Sequence, residues 1–148
     1  MDKIILGGGC FWGIEEYFRK INGIIKTQVG YSGGDTQNPS YEDVCTGNTG
    51  HAEVVLIDYN ELKISYLDLL NHFWECHDPT QINRQGLDIG TQYRSVIFYF
   101  SENQKNLAKE SKLELQKKNP QKKIATEITK AKDFYLAEDY HQCFLQKK

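Results

Sequence analysis

The sequence predicts a single α/β domain in which helices pack against a mixed β-sheet. Short runs rich in Ile and Val alternate along the chain with longer amphipathic segments, a pattern typical of strands connected by helices. The chain has 148 residues, which fits one domain with a substantial core. No internal repeat, linker or low-complexity segment divides it. We therefore expect residues 1–148 to form one domain.

The first predicted strand ends at Leu6 and is followed directly by the glycine-rich stretch Gly7–Gly13. The glycines would turn the backbone and leave room for a substrate, and a helix would begin near Phe11. Cys10 would then lie at the start of that helix, where unpaired N–H groups and the helix dipole favour an anion. We expect its thiol pKa to fall below the usual value of about 8.5. The alternative is a small, buried, unreactive cysteine.

The next two elements are a helix and a strand. Apolar residues recur at helical spacing from Ile14 to Ile21, and Asn22-Gly23 is a common signal for the end of a helix. The apolar run Ile24–Val29 then predicts the second strand.

A long polar loop, Asp35–Gly50, comes next, and its Ser40 can start a short helix that carries Tyr41. Loops of this length in compact domains are usually functional, so we expect it to form one wall of an active site. The stretch His51–Asp58 is apolar on both faces, which predicts a strand inside the sheet. Glu53 interrupts this apolar pattern, so its carboxyl group should be partly buried, either as a proton donor or paired with a Lys or Arg.

The second half of the chain contains a further helix and a second loop. Ser65–Asp68 has the form of a capping box, and Asp78-Pro79 should end the helix that it starts. The loop Thr80–Gln92 has little apolar content and should present Asp88 and the neighbouring Tyr93.

The last predicted elements are a strand over Ser95–Phe100, a charged helix from Ser101 to about Asn119, and an edge strand. The edge strand is predicted over Lys123–Thr129 because Ile and Thr alternate there.

Composition excludes several classes of function. The net charge of −2 leaves no basic excess for neutralising phosphates, so we expect no nucleic-acid partner. There is neither a signal-like segment nor an apolar run near 18 residues, so we expect a cytoplasmic protein without a membrane partner. The four cysteines show no CxxC spacing, which argues against a zinc site and fits a reducing compartment. No motif indicates a metal or an organic cofactor.

Seven stretches follow one pattern: Gly9–Gly13, Gly30–Gly34, Pro39–Cys45, Gly50–Val54, His77–Gln81, Asp88–Ser95 and Ala137–Gln142. Any one of them is a weak signal, but all seven occur in order and with similar gaps over most of the chain. Together they resemble one family, the A-type peptide methionine sulfoxide reductases, which reduce the S epimer of methionine sulfoxide.

The resemblance implies a two-layer, ferredoxin-like α/β plait with additional elements, and it assigns roles that suit sulfoxide chemistry. A thiolate can displace the oxygen only if that oxygen is protonated or strongly hydrogen-bonded. Cys10 would be the nucleophile, and Glu53, whose pKa burial should raise, would be the acid. Tyr41 and Tyr93 would hydrogen-bond the oxygen, with Asp88 as a further polar member of the site.

The resemblance also implies a pocket for the S-methyl group, formed by Phe11 and Trp12. The Cys10 sulfenic acid left by the first half-reaction must be reduced by another thiol. Many family members carry recycling cysteines in a glycine-rich tail, which this sequence lacks. Cys143 is therefore a candidate resolving thiol, and direct reduction by an external thiol is the other. Cys45 corresponds to a cysteine that is often buried and structural in the family.

We thus expect a monomeric enzyme that uses no cofactor and has oxidised proteins or free methionine sulfoxide as its substrate. Its reductant would be thioredoxin or a glutathione/glutaredoxin-type thiol. Two other classes use the same residues. A thiol peroxidase would employ an activated Cys10, and an inactive module would only bind oxidised methionine, although the intact Cys10 and Glu53 argue against the second.

Overall fold

The computed structural model describes residues 2–146, which form eight strands, four α-helices and two short 3-10 helices. The strands are β1 (Asp2–Gly7), β2 (Ile24–Ser32), β3 (Ala52–Tyr59), β4 (Arg84–Gln85), β5 (Asp88–Ile89), β6 (Val96–Tyr99), β7 (Glu127–Lys130) and β8 (Phe134–Leu136). The α-helices are α1 (Phe11–Arg19), α2 (Tyr41–Cys45), α3 (Tyr66–Cys76) and α4 (Glu102–Lys118). The 3-10 helices are Thr91–Tyr93 and Asp139–His141.

Six strands form one mixed sheet in the order β7-β6-β1-β3-β2-β8. All neighbours pair antiparallel except β6 and β7, which are parallel. The short strands β4 and β5 form a separate antiparallel hairpin. The predicted α/β class with a mixed sheet is confirmed.

The helices cover one face of the sheet. Buried residues of α1, α3 and α4 pack in one cluster with Val55 and Ile57 of β3 and with Ile4 and Leu6 of β1. Ile5 and the other alternate sheet residues form a smaller cluster on the opposite face, to which no helix contributes. Two layers result, as expected.

Side-chain alternation along β3 decides where its carboxyl group points. Ala52 and Val54 belong to the smaller cluster, whereas Val55 and Ile57 face the helices. Since successive side chains of a strand point to opposite faces, Glu53 shares the helix-facing side with Val55. It lies at the end of the strand that is nearest the start of α1, because its carboxyl group accepts a hydrogen bond from the Phe11 N–H.

Two predicted boundaries are wrong. The first helix ends at Arg19 rather than near Asn22. The strand predicted over residues 123–129 begins only at Glu127, because the buried residues before it bond outside the sheet. The Ile124 N–H donates to the Gln116 side chain, and the Ala125 N–H donates to the Pro79 carbonyl.

Four short elements have no counterpart in the sequence prediction: the β4–β5 hairpin, β8 and the 3-10 helices at Thr91–Tyr93 and Asp139–His141. Each is held by pairing or packing with distant residues, as in the register of β8 against Gly30–Ser32. Within residues 2–146, none of the helices has the length and apolar character needed to cross a membrane.

Candidate active site

The glycine-rich turn between β1 and α1 lies against two other segments. A Cβ atom on Gly8 would lie 2.8 Å from the His77 ring, and one on Gly9 would lie 2.9 Å from the Gln85 side chain. Gly9 also has a φ of +90°, which side-chain-bearing residues rarely adopt. These glycines therefore let the end of α3 and the β4–β5 hairpin approach the start of α1.

Hydrogen bonds then hold the second loop next to this turn. The Gly9 N–H donates to the Tyr93 carbonyl at 3.2 Å. The Gln85 side chain accepts from the Asp78 N–H at 2.9 Å and donates to the Asp78 carbonyl. His77 contacts the Ser95 hydroxyl and the Phe73 carbonyl, each at 2.7 Å, and burial lowers its pKa to about 4. His77 is thus neutral, and its ring joins the end of α3 to the segment before β6.

Cys10 caps the N-terminus of α1 and is partly buried. Burial raises the pKa of its thiol to about 11, although N–H groups of the helix start, those of Trp12 and Gly13, act in the opposite direction. The charges of Glu53 and Asp88 raise it further. The expectation of a lowered thiol pKa is therefore wrong for the free protein, because desolvation and two carboxylates outweigh the helix terminus.

Glu53 is almost fully buried, with 1% of its surface exposed. Its Oε1 accepts a hydrogen bond from the Phe11 N–H at 3.2 Å, whereas its Oε2 has no hydrogen-bond partner among the described residues. Burial raises the pKa of the carboxyl group to about 8, and the charge of Asp88 adds to the effect. No Lys or Arg pairs with it in residues 2–146, so Glu53 is protonated near neutral pH and can donate a proton from Oε2.

The two predicted tyrosines lie close to these groups. Burial raises the pKa of Tyr93 to about 12, and the charges of Glu53, Cys45, Asp88 and Cys10 contribute. The pKa of Tyr41 is also raised, first by burial and then by its interactions with Cys45 and Glu53.

Both tyrosine hydroxyls therefore remain protonated and can donate hydrogen bonds at physiological pH. The structure brings together the five predicted polar residues, and the charge of the exposed β5 residue Asp88 raises the pKa values of Cys10, Glu53 and Tyr93.

The two aromatic residues after Cys10 differ in exposure. Phe11 is fully buried, with its ring 5.8 Å from that of Tyr31, whereas Trp12 is partly exposed. The Trp12 indole N–H donates to His141 Nδ1 at 2.9 Å, and its ring stacks on Phe144 with 3.8 Å between centroids. Trp12 is thus the aromatic residue at this turn that has a free surface.

The C-terminal segment supplies residues that the sequence prediction did not single out. Glu138 accepts hydrogen bonds from the Tyr31 hydroxyl at 2.9 Å and from the Tyr41 N–H at 3.0 Å. The His141 ring lies 4.5 Å from that of Tyr41 and 5.2 Å from that of Phe11. Both belong to the stretch Ala137–Gln142, which carried the resemblance, and this was the one available signal.

The remaining cysteines lie in different surroundings. Cys45 is exposed, so the expectation of a buried structural cysteine is wrong; it follows Tyr41 by one helical turn and influences the pKa of Tyr41. Cys76 contacts the Phe73 carbonyl at the end of α3.

Cys143 is held against α1. Its N–H donates to Glu15 Oε1 at 2.6 Å, and its sulfur lies 3.8 Å from Glu15 Oε2. Its role as a resolving thiol stays a prediction.

No cluster of three or more His, Cys, Asp or Glu side chains within the described chain could hold a metal ion. A groove of about 700 Å³ lies between α4 and residues 123–128, but none of the predicted site residues lines it.

Comparisons with known proteins identify close relatives. The model of the family described as "Peptide methionine sulfoxide reductase" matches residues 2–148. The peptide methionine sulfoxide reductase MsrA of Methanothermobacter thermautotrophicus is 52% identical over 147 residues, which are 99% of this chain and 87% of the relative.

Two solved structures of one yeast protein were also found. Mxr1 from Saccharomyces cerevisiae in reduced form is similar with a TM-score of 0.94 and 41% identity, covering 99% of this chain and 85% of that one. The structure of the same protein in complex with Trx2 is similar with a TM-score of 0.68 and 31% identity, covering 97% of this chain and 84% of that one. The chain thus resembles the reduced form more closely than the complexed one.

Proposed function

The chain belongs to the peptide methionine sulfoxide reductase family and is an oxidoreductase; from this premise we propose how its residues act on methionine (S)-sulfoxide, free or in proteins. One observation carries the mechanism. Glu53, protonated and with Oε2 unpartnered, is bound through Oε1 to the N–H of the residue that follows Cys10. A proton donor on β3 is thus held against the turn that carries the thiol.

In the first half-reaction, the Cys10 sulfur attacks the sulfoxide sulfur while Glu53 gives its proton to the oxygen. The S–O bond breaks, the hydroxyl group passes to the Cys10 sulfur as the newly formed S–S bond breaks, and methionine leaves a sulfenic acid on Cys10. The thiol proton of Cys10 replaces the one that Glu53 gave up. The methionine sulfur gains two electrons and the cysteine sulfur loses two, so the step balances without a cofactor.

The raised pKa of Glu53 supplies the proton donor near neutral pH, whereas the raised pKa of Cys10 keeps the thiol protonated until it reacts. A thiol with a pKa of about 11 is mostly protonated, and so is a carboxyl group with a pKa of about 8. Attack by Cys10 therefore needs loss of its proton as the oxygen accepts one. Tyr41 and Tyr93 donate hydrogen bonds to that oxygen, and Trp12, with Phe11 behind it, forms the surface for the methyl group.

The second half-reaction needs two thiols: the first forms a disulfide with Cys10 and releases water, and the second reduces that disulfide. We propose thioredoxin as the reductant, since a solved structure of the relative Mxr1 contains Trx2. Cys143 is the candidate internal thiol. A glutathione- or glutaredoxin-type thiol is the alternative if no internal disulfide forms.

The test is formation of methionine from resolved sulfoxide epimers, with dithiothreitol as reductant. We expect the S epimer to be consumed and the R epimer to remain. Turnover of the R epimer would contradict the assignment. Faster turnover with hydrogen peroxide than with the sulfoxide would instead indicate a thiol peroxidase.

A further inference from the structure

The C-terminal segment Ala137–Gln146 crosses the molecule beside α1 and is bonded to it through side chains. The Gln142 amide accepts from the Val29 N–H at 2.9 Å and donates to the Val29 carbonyl at 2.8 Å, so it pairs with the backbone of β2. The Cys143 N–H donates to Glu15 of α1. The Glu15 carboxyl group is buried and also accepts from the Thr27 hydroxyl at 2.8 Å. These bonds fix Gln142 and Cys143, and with them the residues on either side of that pair.

Those neighbours, His141 and Phe144, meet the indole of Trp12 from two directions. The indole N–H donates to His141 Nδ1 at 2.9 Å. The Phe144 ring stacks on the indole with an interplanar angle of 14° and 3.8 Å between centroids. A tryptophan side chain turns about two bonds, and a hydrogen bond at its edge together with a stacked ring on its face removes both rotations.

The hydrogen bond also defines the state of His141. An indole N–H can only donate, so Nδ1 must be the unprotonated, accepting nitrogen. The ring is 1% exposed, and burial lowers its pKa, which favours this neutral form. The proton is then on Nε2, which has no hydrogen-bond partner among residues 2–146. A buried nitrogen without a partner is costly, so the ring is retained for its contacts with Trp12 and with Tyr41, 4.5 Å away.

We propose that His141 and Phe144 are positioning residues that hold the Trp12 indole in the orientation that receives the substrate methyl group. This inference rests on the proposed function, in which Trp12 forms the methyl-binding surface. His141 acts mainly through its hydrogen bond and Phe144 through stacking, and neither takes part in bond breaking.

The test compares His141→Phe, which keeps an aromatic ring but removes the acceptor, with His141→Asn, whose amide oxygen can take the place of Nδ1. With N-acetyl-methionine (S)-sulfoxide we expect His141→Phe to raise KM by about tenfold and to change kcat by less than about twofold. Lost contact with a methyl group weakens ground state and transition state alike, by about 1–3 kcal/mol, or about 10–200-fold. His141→Asn should restore KM to within about threefold of wild type.

A second variant and a second measurement guard against misfolding. Phe144→Leu keeps an apolar side chain but removes the stacked ring, and it should also raise KM while leaving kcat near wild type. Binding can be followed without turnover in Cys10→Ser/Trp74→Phe, where Trp12 is the only tryptophan and its fluorescence reports on the pocket. Adding His141→Phe should weaken the fluorescence-detected affinity for the same sulfoxide by about tenfold.

The matched control is His72→Phe. His72 Nδ1 also contacts an aromatic donor, the Tyr17 hydroxyl at 2.9 Å, but it lies between α1 and α3 and touches none of the proposed site residues. It should leave KM and kcat unchanged.

The inference is overturned if His141→Phe has an unchanged KM. It is also overturned if His141→Asn and His141→Phe lose affinity equally and both melt at the same lowered temperature, because the loss would then reflect stability and not the hydrogen bond. The wild-type protein separates this result from the proposed function. If wild type does not reduce the sulfoxide, the function fails; if it does and the variants match it, only the positioning role fails.

Discussion

Glu53 and Glu138 are two glutamates at opposite sides of the site, one on the central strand β3 and one in the C-terminal segment, and their protonation states differ. Glu53 is buried, receives one hydrogen bond and has a pKa raised to about 8. Glu138 is partly exposed. Burial acts to raise its pKa too, but hydrogen bonds, first from the Tyr41 N–H and also from the Tyr31 hydroxyl, hold it below the usual range.

The difference shows that the number of donors around a carboxyl group decides its charge as much as burial does. Glu53 keeps a proton and has one oxygen without a partner, which suits a reacting group. Glu138 is ionised with both oxygens occupied, which suits a group that holds Tyr31 and Tyr41 in place. The predictions below test this contrast between a reacting centre and its support, from the largest effect to the smallest.

Removing the nucleophile should abolish the reaction. We expect Cys10→Ser to lose all measurable sulfoxide reduction with dithiothreitol, because a hydroxyl is a far weaker nucleophile at neutral pH. Its thermal unfolding should match that of wild type. Cys76→Ser is the control, since the Cys76 sulfur contacts the Phe73 carbonyl and His77 Nδ1 at the end of α3, and it should stay active. Activity above a few per cent in Cys10→Ser would place the nucleophile elsewhere.

Glu53→Gln should slow the reductase step by about 10²–10⁴-fold, the usual range for a positioned general acid. The reaction needs Glu53 protonated and Cys10 deprotonated. The pKa of Glu53, about 8, is lower than that of Cys10, about 11, so the pKa values favour the opposite protonation of the two groups. For wild type, kcat/KM in single-turnover experiments should therefore rise with pH to about 8, stay level to about 11, and then fall.

In Glu53→Gln the break near pH 8 should disappear, and the remaining rate should rise toward pH 11 as the thiolate forms. An unchanged profile would make Glu53 a structural carboxyl group. Stability gives an independent check. Because the folded-state pKa is raised, ionisation of Glu53 should lower the free energy of unfolding as pH rises from about 4.5 to about 8, and the glutamine variant should lack this decline.

Release of the C-terminal segment should speed disulfide formation between Cys10 and Cys143. After one equivalent of sulfoxide, mass spectrometry of alkylated protein should find this disulfide forming slowly in wild type. It should form about tenfold faster in Glu15→Ala, which removes the acceptor of the Cys143 N–H. Glu15→Gln keeps an acceptor and is the control. If Cys10 stays a trappable sulfenic acid in all three proteins, no internal thiol resolves it.

Glu138→Ala should have the smallest effect on chemistry, a few-fold loss of kcat/KM without any change in the break near pH 8. It leaves two donors unpaired and should cost about 1–3 kcal/mol of stability in thermal or urea unfolding. Since folding lowers the pKa of Glu138, its ionised form stabilises the fold at pH values above the usual pKa of a glutamate. That stabilisation should be lost as pH falls through the folded-state value, where wild type and Glu138→Gln should converge. A loss of activity comparable to that of Glu53→Gln would contradict the division of roles.

Much of the centre could be predicted from local sequence. Alternation along β3 places Glu53 on the same side as Val55, and one strand, three glycines and a helix start suffice to place Cys10 at a turn. The capping boxes at Ser40 and Ser65 both form as short-range patterns require. These features depend on residues within a few positions of each other, and the seven motifs added the identities of Tyr41, Tyr93 and Asp88.

Only the tertiary structure decided the charge of the thiol and the contacts of the C-terminal segment. The helix start by itself favours a thiolate at Cys10, but burial and the carboxylates of Glu53 and Asp88, distant in sequence, reverse the direction. The bond between Trp12 and His141 likewise joins residues 129 positions apart. Desolvation and charge act through space and depend on what the whole chain packs together, so local sequence determined which groups are present, and folding determined their protonation.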